Sequence, residues 1–279
     1  MDIRAVKLDV AALRNGLAWA QSWTHQHILC RIGEGQLTFM VAERDGFLAA
    51  WTWNAPDLSS SAFFLIPPFI AKLLSSRAMW DVRELKVMTY RNAVGMLLSA
   101  GQRQPFRLQW HWHATDFASP PYFKLMSRLP DMMISAPYVN LADVIHLAIA
   151  NVLTPSINEE GEPEPMPNGI LIDFMPGQIN IDGESIHSHT QQQARYYFNP
   201  KMLIRGLEIV RSSHLSFAIR EAKRAQNAVL YMACQREGWQ IHCAIQSVGV
   251  SRTATPPPVQ IRETRPPMQG GSWFRGRGD

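Results

Sequence analysis

Apolar residues recur along the first half of the chain with helical and strand periods, and these periods predict its secondary structure. Residues 8–22 carry apolar side chains every three to four positions, which predicts one face of an amphipathic helix. Pro67 and Pro68 suit the first turn of a second helix, predicted at 69–79. Short apolar runs bounded by turn residues predict strands. These strands are 27–32, 36–42, 47–53, 62–66, 84–90, 93–99 and 106–113.

The second half of the chain runs through the same order of elements. A helix is predicted at 139–153, and Asn199 and Pro200 suit the N-cap and first residue of another at 201–211. The predicted strands are 169–174, 178–181, 185–190, 195–198, 214–220, 228–234 and 239–246. The strand–Pro–helix junctions at Pro67 and Pro200 are 133 residues apart. Because this offset is longer than any solenoid repeat, it predicts a duplicated domain.

Shifts in composition mark the boundaries between these parts. Residues 249–279 are rich in Pro, Gly and Arg and contain too little apolar surface to offset the entropy of ordering, so they predict a disordered tail. Residues 154–168 combine acidic residues with four prolines and predict a loop. We therefore expect a first module at 1–127, an interdomain connector at 128–138 and a second module at 139–248.

The chain carries a net charge of +4 at pH 7, and the location of this charge limits what it implies. Five arginines and two acidic residues place +3 of it in the predicted tail, so the body carries only +1. A globular body this close to neutrality does not indicate nucleic-acid binding by its composition. A DNA-binding face would have to arise from the arrangement of the charges.

Cysteine usage and hydropathy bear on the compartment. Cys30, Cys234 and Cys243 have the spacing of neither a disulfide framework nor a CxxC site, and they lie in apolar runs, so we expect them to be buried. No apolar run reaches the roughly 18 residues needed to span a bilayer, and the N-terminus has no signal-peptide pattern. These features predict a soluble, cytoplasmic protein with no membrane partner.

The sequence offers little for catalysis. It contains no Walker loop, GxGxxG, HExxH or GxSxG motif, so we predict no catalytic residue and no cofactor. His111 and His113 are two residues apart on a predicted strand and share a face, where Asp116 would be the third ligand of a metal. We favour the alternative, an ordinary half-exposed edge strand. His187 and His189 receive the same interpretation, so no metal site is predicted.

The second strand–Pro–helix junction resembles a known family. Residues 197–207 read YFNPKMLIRGL, and residues 214–217 read HLSF. Together they resemble the F-N-P-x-Y-L-L-x-A-L … V-R-L-x-F run of bacterial sliding-clamp modules. The first half is similar to the same family at 13–17, 37–45 and 66–73. The resemblance covers about residues 5–248.

The chain departs from the bacterial clamps in two respects. It has two modules where their subunits have three, and its last strand, IHCAIQ at 241–246, replaces their M-P-M-R-L ending. Six modules close a ring in that family, so the resemblance implies a homotrimer of two-module subunits. The resemblance also implies an α+β fold. It implies two copies of a DNA-clamp module, each with two helices packed on antiparallel sheets, followed by the disordered tail.

Sliding clamps encircle double-stranded DNA, so the resemblance implies that cationic helix residues contact phosphates without reading sequence. The expected DNA-binding residues are Arg14, Lys72, Arg77, Lys201, Arg205 and Arg211. Lys201 and Arg205 are four residues apart and therefore share a helix face. The alternative is that all six are solvated residues on ordinary amphipathic helices.

In related clamps a short partner peptide docks near the link between modules, and the matching stretch here is 129–139. The expected partner-binding residues are Met132, Met133, Ile134, Pro137 and Tyr138. Met-rich surfaces adapt to varied ligands, but the same residues would also fill a core. In the tail, Trp273 and Phe274 resemble a linear motif that docks on a partner or a neighbouring subunit. The alternative is that the Arg and Gly residues around them touch DNA non-specifically.

The sequence thus favours a sliding clamp-like processivity factor. It would encircle DNA and tether a DNA polymerase, or another DNA-processing enzyme, that carries a short peptide motif. The alternative is a clamp-fold scaffold or regulatory protein that does not encircle DNA, which the near-neutral body favours. A third hypothesis, a metal-dependent enzyme that uses His111 and His113, would require a His113→Ala change to abolish activity.

Overall fold

Four helices are present in the computed structural model, among the residues that it describes. The described residues are 4–43, 46–58, 61–76, 79, 81–89, 93–100, 104–113, 134–137, 143–148, 150, 169–187, 193–210, 214–221 and 228–250. Helix α1 spans Val10–Trp23, α2 spans Pro68–Ser75, α3 includes the helical residues 143–148, and α4 spans Pro200–Ile209. None of the described helices is long and apolar enough to cross a membrane.

Polar side chains fix where α1 and α4 begin. The Asp9 carboxylate accepts a hydrogen bond from the Ala12 N–H at 2.8 Å, which satisfies one of the unpaired donors of the first turn of α1. The Asn199 side chain accepts from the Lys201 N–H at 2.9 Å and caps α4 in the same way. Pro200 occupies the first position of α4, as expected, because its missing N–H costs nothing there.

Helix α2 is shorter than the sequence predicts. It begins at Pro68 and has no side-chain cap. It ends at Ser75 instead of residue 79 because the Ser76 N–H and the Ser76 hydroxyl both donate to the Leu73 carbonyl. These bonds satisfy a terminal carbonyl and close the last turn.

The sixteen strands with defined bounds cover most of the described chain. They are β1 Arg4–Leu8, β2 Ile28–Gly33, β3 Gln36–Glu43, β4 Phe47–Asn54, β5 Ala62–Ile66, β6 Glu84–Thr89, β7 Ala93–Ser99, β8 Phe106–His111, β9 Ile134–Pro137, β10 Ile170–Met175, β11 Gln178–Ile181, β12 Glu184–His187, β13 Ala194–Phe198, β14 His214–Glu221, β15 Ala228–Arg236 and β16 Trp239–Val250. The long periodic strands agree with the predicted ranges to within a few residues at each end.

The strands of the two halves pair in the same order. In the first half, one set runs β1-β6-β7-β8 and the other runs β4-β3-β2-β5. In the second half, the sets run β9-β14-β15-β16 and β12-β11-β10-β13. Every pair of neighbouring strands is antiparallel. The result is an α+β architecture with large antiparallel sheets.

Strand β16 joins the two halves into one sheet. Its first part pairs with β4, from Trp239 opposite Trp53 to Ile245 opposite Phe47. Its last part pairs with β13, after a shift of register beside Phe198. Because β16 also pairs with β15 over most of its length, one strand holds together three neighbours from both halves.

Helices α1 and α4 pack on the same face of this joined sheet. A Cβ atom at Gly16 of α1 would lie 2.8 Å from the Trp51 ring, so only glycine permits such a close approach. A Cβ atom at Gly206 of α4 would lie 3.2 Å from the Cys243 sulfur. Cys243 is opposite Ala49, which is two residues from Trp51 on β4, so these side chains point to one side.

The core at this junction is aromatic. The Trp51 ring has neighbours at centroid distances of 6.0 Å for Phe39, 6.1 Å for Trp53 and 6.5 Å for Trp239, so it connects β3, β4 and β16. The prediction that the three cysteines are buried is confirmed, since all three are free thiols in the core. Burial raises the pKa of the Cys30 and Cys243 thiols, which keeps them protonated and unreactive.

Two strands were not predicted from the sequence. Strand β1 precedes α1 and pairs with β6, and β9 lies inside the expected connector and pairs with β14. Strand β1 has five residues and β9 has four, and the partner of each lies far along the chain. Local periodicity carries little signal for strands of this kind. Strand β8 also ends at His111, two residues before the predicted end.

Candidate functional site

The described residues that we expected to bind DNA lie on the helices. Lys72 on α2 and Lys201 on α4 are exposed, whereas Arg14 on α1 and Arg205 on α4 are partly buried. Since α1 and α4 share one face of the joined sheet, Arg14, Lys201 and Arg205 belong to the same layer of the molecule. Two further candidates, Arg77 and Arg211, lie outside the described residues.

Arg205 has a structural role at the junction of the two halves. Its guanidinium donates a hydrogen bond to the carbonyl of Trp23, the last residue of α1. The same group lies over the ring of Phe47 on β4, 5.4 Å from the ring centroid. A cation at the C-terminus of a helix and over an aromatic face is held by two attractions, so Arg205 links α4 to both α1 and β4.

The exposed surface of the helices is only weakly basic. The described helical residues contain four cationic side chains, Arg14, Lys72, Lys201 and Arg205, and two acidic ones, Asp143 and Glu208. The exposed positions of α1 carry small uncharged side chains. They are Ala11, Asn15, Ala18 and Ser22. Any phosphate contact made by this layer would therefore be weak and sensitive to salt.

Helix α2 exposes apolar side chains, which the sequence analysis did not anticipate. Phe69 is 68% exposed and Leu73 is 38% exposed. At the corresponding positions after the proline, α4 has Lys201 and Arg205. The sequence held a signal for this exposure, because Phe69 lies off the helix face formed by Ile70, Ala71 and Leu74, which are buried in the structure.

Beside Phe69, a cavity of about 430 Å³ opens between the end of α1 and the start of α2. Gln21, Thr24, His25 and Gln26 line it from the α1 side, and Phe69 and Lys72 line it from α2. A hydrogen bond of 2.6 Å from the Ser75 hydroxyl to the Gln21 side-chain oxygen holds the two helices together at its edge.

Part of the expected partner-binding stretch is a strand. Ile134 and Pro137 are the ends of β9, whose backbone pairs with β14, so this part of the stretch belongs to a sheet. Met132, Met133 and Tyr138 lie outside the described residues, and so do Trp273 and Phe274 of the tail. The peptide-docking role of these residues stays a prediction.

The described histidines include exposed and buried side chains. His111 and His113 are exposed at the end of β8, and Asp116 lies outside the described residues. Within the described part of the chain, no three His, Cys, Asp or Glu residues are close enough to hold a metal ion. His242 on β16 is buried, and burial lowers the pKa of its imidazole to about 4, so it is neutral at pH 7.

No protein-family model and no curated protein matches the sequence. Solved structures do match the fold. The chain is similar to a DnaN sliding clamp (DNA polymerase III subunit beta) from Pseudomonas aeruginosa, bound there to griselimycin, with 13% identity and a TM-score of 0.56. The match covers 88% of this chain and 66% of the clamp.

Two further solved structures are similar to this chain in fold. The DNA polymerase III beta subunit of Thermotoga maritima has 9% identity and a TM-score of 0.58, over 90% of this chain and 66% of that one. A putative beta subunit from Eubacterium rectale has 14% identity and a TM-score of 0.54, over 89% and 66%. This chain thus spans about two thirds of the length of these proteins. At such low identity the likeness concerns the fold, and the fold of this chain is similar to that of bacterial sliding-clamp beta subunits.

Proposed function

We propose that the protein is a sliding clamp-like processivity factor, a ring of two-module subunits that encircles double-stranded DNA and tethers an enzyme to it. The observation that carries this proposal is the repeated pairing order of the strands, with α1 and α4 on one face of the sheet that joins the halves. The similarity in fold to bacterial sliding clamps supports the proposal.

The proposal treats the two halves as copies of one module. Each copy then has a strand before its first helix, a three-strand run, a short strand that leads into Pro and a second helix, and three closing strands. The second helices begin at Pro68 and Pro200, which supports the correspondence. The modules are residues 1–127 and 139–248, and 128–138 links them.

The internal junction suggests how subunits would join. Inside the chain, β4 of the first module pairs with β16, the last strand of the second. The corresponding strands on the outer edges are β12 and β8, and each pairs on only one side within the described residues. Pairing of β8 with β12 of the next subunit would be head-to-tail, and such contacts form rings when the rotation closes. Three subunits would supply six modules.

In this arrangement the helices face the DNA. Lys72 and Lys201 would contact phosphates, with Arg14 beside them and Arg77 and Arg211 as further candidates. Arg205 remains a candidate for phosphate contact, although its contacts with Trp23 and Phe47 hold it at the junction. A few such contacts give weak binding, as a sliding protein needs.

We further propose that a polymerase or other DNA-processing enzyme docks by a short peptide near Met132, Met133, Ile134, Pro137 and Tyr138. Trp273 and Phe274 in the tail would serve as a second docking motif, on a partner or on a neighbouring subunit. The proposed activity is tethering, so no residue is assigned a catalytic role.

The mass of the protein in solution and its retention on DNA test this function. A stable trimer that stays on circular DNA but slides off linear DNA is the expected result. Reversing Lys72 and Lys201 to Glu should lower the amount of protein loaded on DNA at low salt and leave the trimer intact. Reversing Lys86, an exposed lysine on β6, should change neither. A monomer that ignores DNA even at low salt would refute the proposal.

A second candidate is a clamp-fold scaffold that does not encircle DNA. The helix layer favours it, because this layer is only weakly basic. Retention of a partner enzyme by a protein that remains monomeric on circular DNA would support this candidate.

A further inference from the structure

We propose that the cavity between α1 and α2 binds one nucleotide unit of a single-stranded nucleic acid. The base would stack on Phe69 and the phosphate would pair with Lys72. This site shares Lys72 with the proposed duplex-contacting layer, but it lies within one module, so a monomer would contain all of it. Its volume of about 430 Å³ falls in the range of about 300 to 1,000 Å³ that is usual for small-ligand sites.

Phe69 supplies the stacking surface. Its ring is 68% exposed at the edge of the cavity, so it presents apolar surface to water. Unpaired bases stack on such rings regardless of their sequence. Other exposed phenylalanines differ from it in their surroundings. The Phe63 ring packs edge-on against Trp112 at a centroid distance of 5.6 Å, and Phe106 lies on β8, away from the cavity lining.

Lys72 supplies the charge. It follows Phe69 by three residues on α2, so the two side chains share one helix face. Both line the cavity, and none of the other described residues that line it is acidic. The spacing of an aromatic ring and an ammonium group along one helical turn suits a nucleotide, whose base and phosphate lie at opposite ends of a sugar.

The α1 side of the cavity supplies ordered polar groups. The Thr24 hydroxyl oxygen accepts a hydrogen bond of 3.0 Å from the Gln26 N–H, which shapes the loop after α1. The Gln21 side-chain oxygen accepts from Ser75, which leaves its NH₂ group as a donor. Amide side chains bind the edges of unpaired bases. Ile28, which is almost fully buried, closes the floor.

The lining favours a single strand over the other polymers that might use this cavity. In a duplex the base faces are already stacked on one another, so a protein ring has no face to cover. An apolar peptide anchor would leave the Lys72 ammonium group and the Gln21 amide without a polar partner, whereas a nucleotide offers them a phosphate and a base edge.

Fluorescence anisotropy with a labelled 12-nucleotide oligothymidylate and the full chain tests the proposal. We expect binding at low salt, and we expect Phe69→Ala to raise the Kd by roughly 5- to 150-fold, the value of one stacked base. Lys72→Gln should lower the slope of log K against log salt by about 0.7, the value of one single-strand phosphate. The control Phe106→Ala, which removes a ring that is 57% exposed, should leave the Kd within about twofold of the original value.

Three results would overturn the proposal. The first is an oligonucleotide Kd that is equal for the original protein, Phe69→Ala and Phe106→Ala. The second is an equal loss of duplex and single-strand binding in Phe69→Ala, which would assign the ring to the duplex surface. The third is a peptide from a displayed library that binds the original protein but not Phe69→Ala, while oligonucleotide binding is unchanged in that variant. Matching thermal midpoints would show that the variants fold. Failure to form a trimer would refute the ring and leave these results unaffected.

Discussion

His242 gives a test of how β4 and β16 hold the two halves together. It lies on β16 between Ala50 of β4 and Ala233 of β15, and only 5% of its surface is exposed. Burial lowers the pKa of the imidazole from 6.5 to about 4. Between these two pH values the unfolded chain binds a proton at this residue and the folded chain does not.

The sign and size of the effect follow from this difference. A lowered pKa in the folded state gives stability that is fully present above pH 6.5 and is lost as the pH falls towards 4. For a shift of this size, the free energy of unfolding should fall by roughly 2 to 3 kcal/mol between pH 7.5 and pH 4.5 from His242 alone. Because His242 lies on β16 between β4 and β15, this loss would weaken the sheet that joins the halves.

Urea unfolding at pH 7.5, 6.0, 5.0 and 4.5, followed by tryptophan fluorescence, measures this loss. Other groups titrate in the same range, so the comparison is with His242→Gln, which keeps a polar side chain but cannot bind the proton. The variant should be less stable at pH 7.5, and its stability should fall less steeply with acid by roughly 2 to 3 kcal/mol. Equal losses in the two proteins would show that the imidazole titrates near its ordinary pKa in the fold, and the argument from burial would be wrong.

Substitutions at three further positions test the packing and the helix ends by chemical unfolding. Gly16→Val should cost about 3 kcal/mol, because a Cβ there would overlap the Phe39 ring, and a loss below about 1 kcal/mol would mean that α1 is not packed so closely. Arg205→Met should cost about 1 to 2 kcal/mol through loss of its bond to the Trp23 carbonyl and of its contact with Phe47. An unchanged unfolding midpoint would mean that these two contacts do not hold Arg205 in place. Asn199→Ala should cost about 1 kcal/mol by removing the cap of α4, and Asn199→Asp should retain most of it.

The sequence was sufficient for the elements whose signal is local. Asn199 and Pro200 predict the start of α4 because a cap and a fixed φ angle act within one turn. The strands at 62–66, 93–99 and 178–181 have the predicted ends, because turn residues bound each apolar run. By contrast, β1 and β9 depend on strands far along the chain, so their own few residues could not reveal them.

The functional surface was harder to predict for the same reason. Lys72 and Lys201 are exposed, as an amphipathic helix implies. The position of Arg205 depends on the end of α1, 182 residues earlier, and no pattern within α4 predicts that contact. The cavity beside Phe69 is formed by two helices that are also separated in sequence, so it too emerges only in three dimensions.

The pairing of β4 with β16 has a consequence for synthesis of the chain. Strand β4 ends at Asn54, and β16 begins at Trp239, 185 residues later. At about 5 to 20 residues per second, a ribosome needs roughly 10 to 40 s to make the partner. During that interval the nascent chain displays an unpaired apolar edge from Phe47 to Thr52, which is buried in the finished fold. An unpaired edge of this kind can pair with other chains, so we expect the nascent protein to depend on chaperones until β16 emerges.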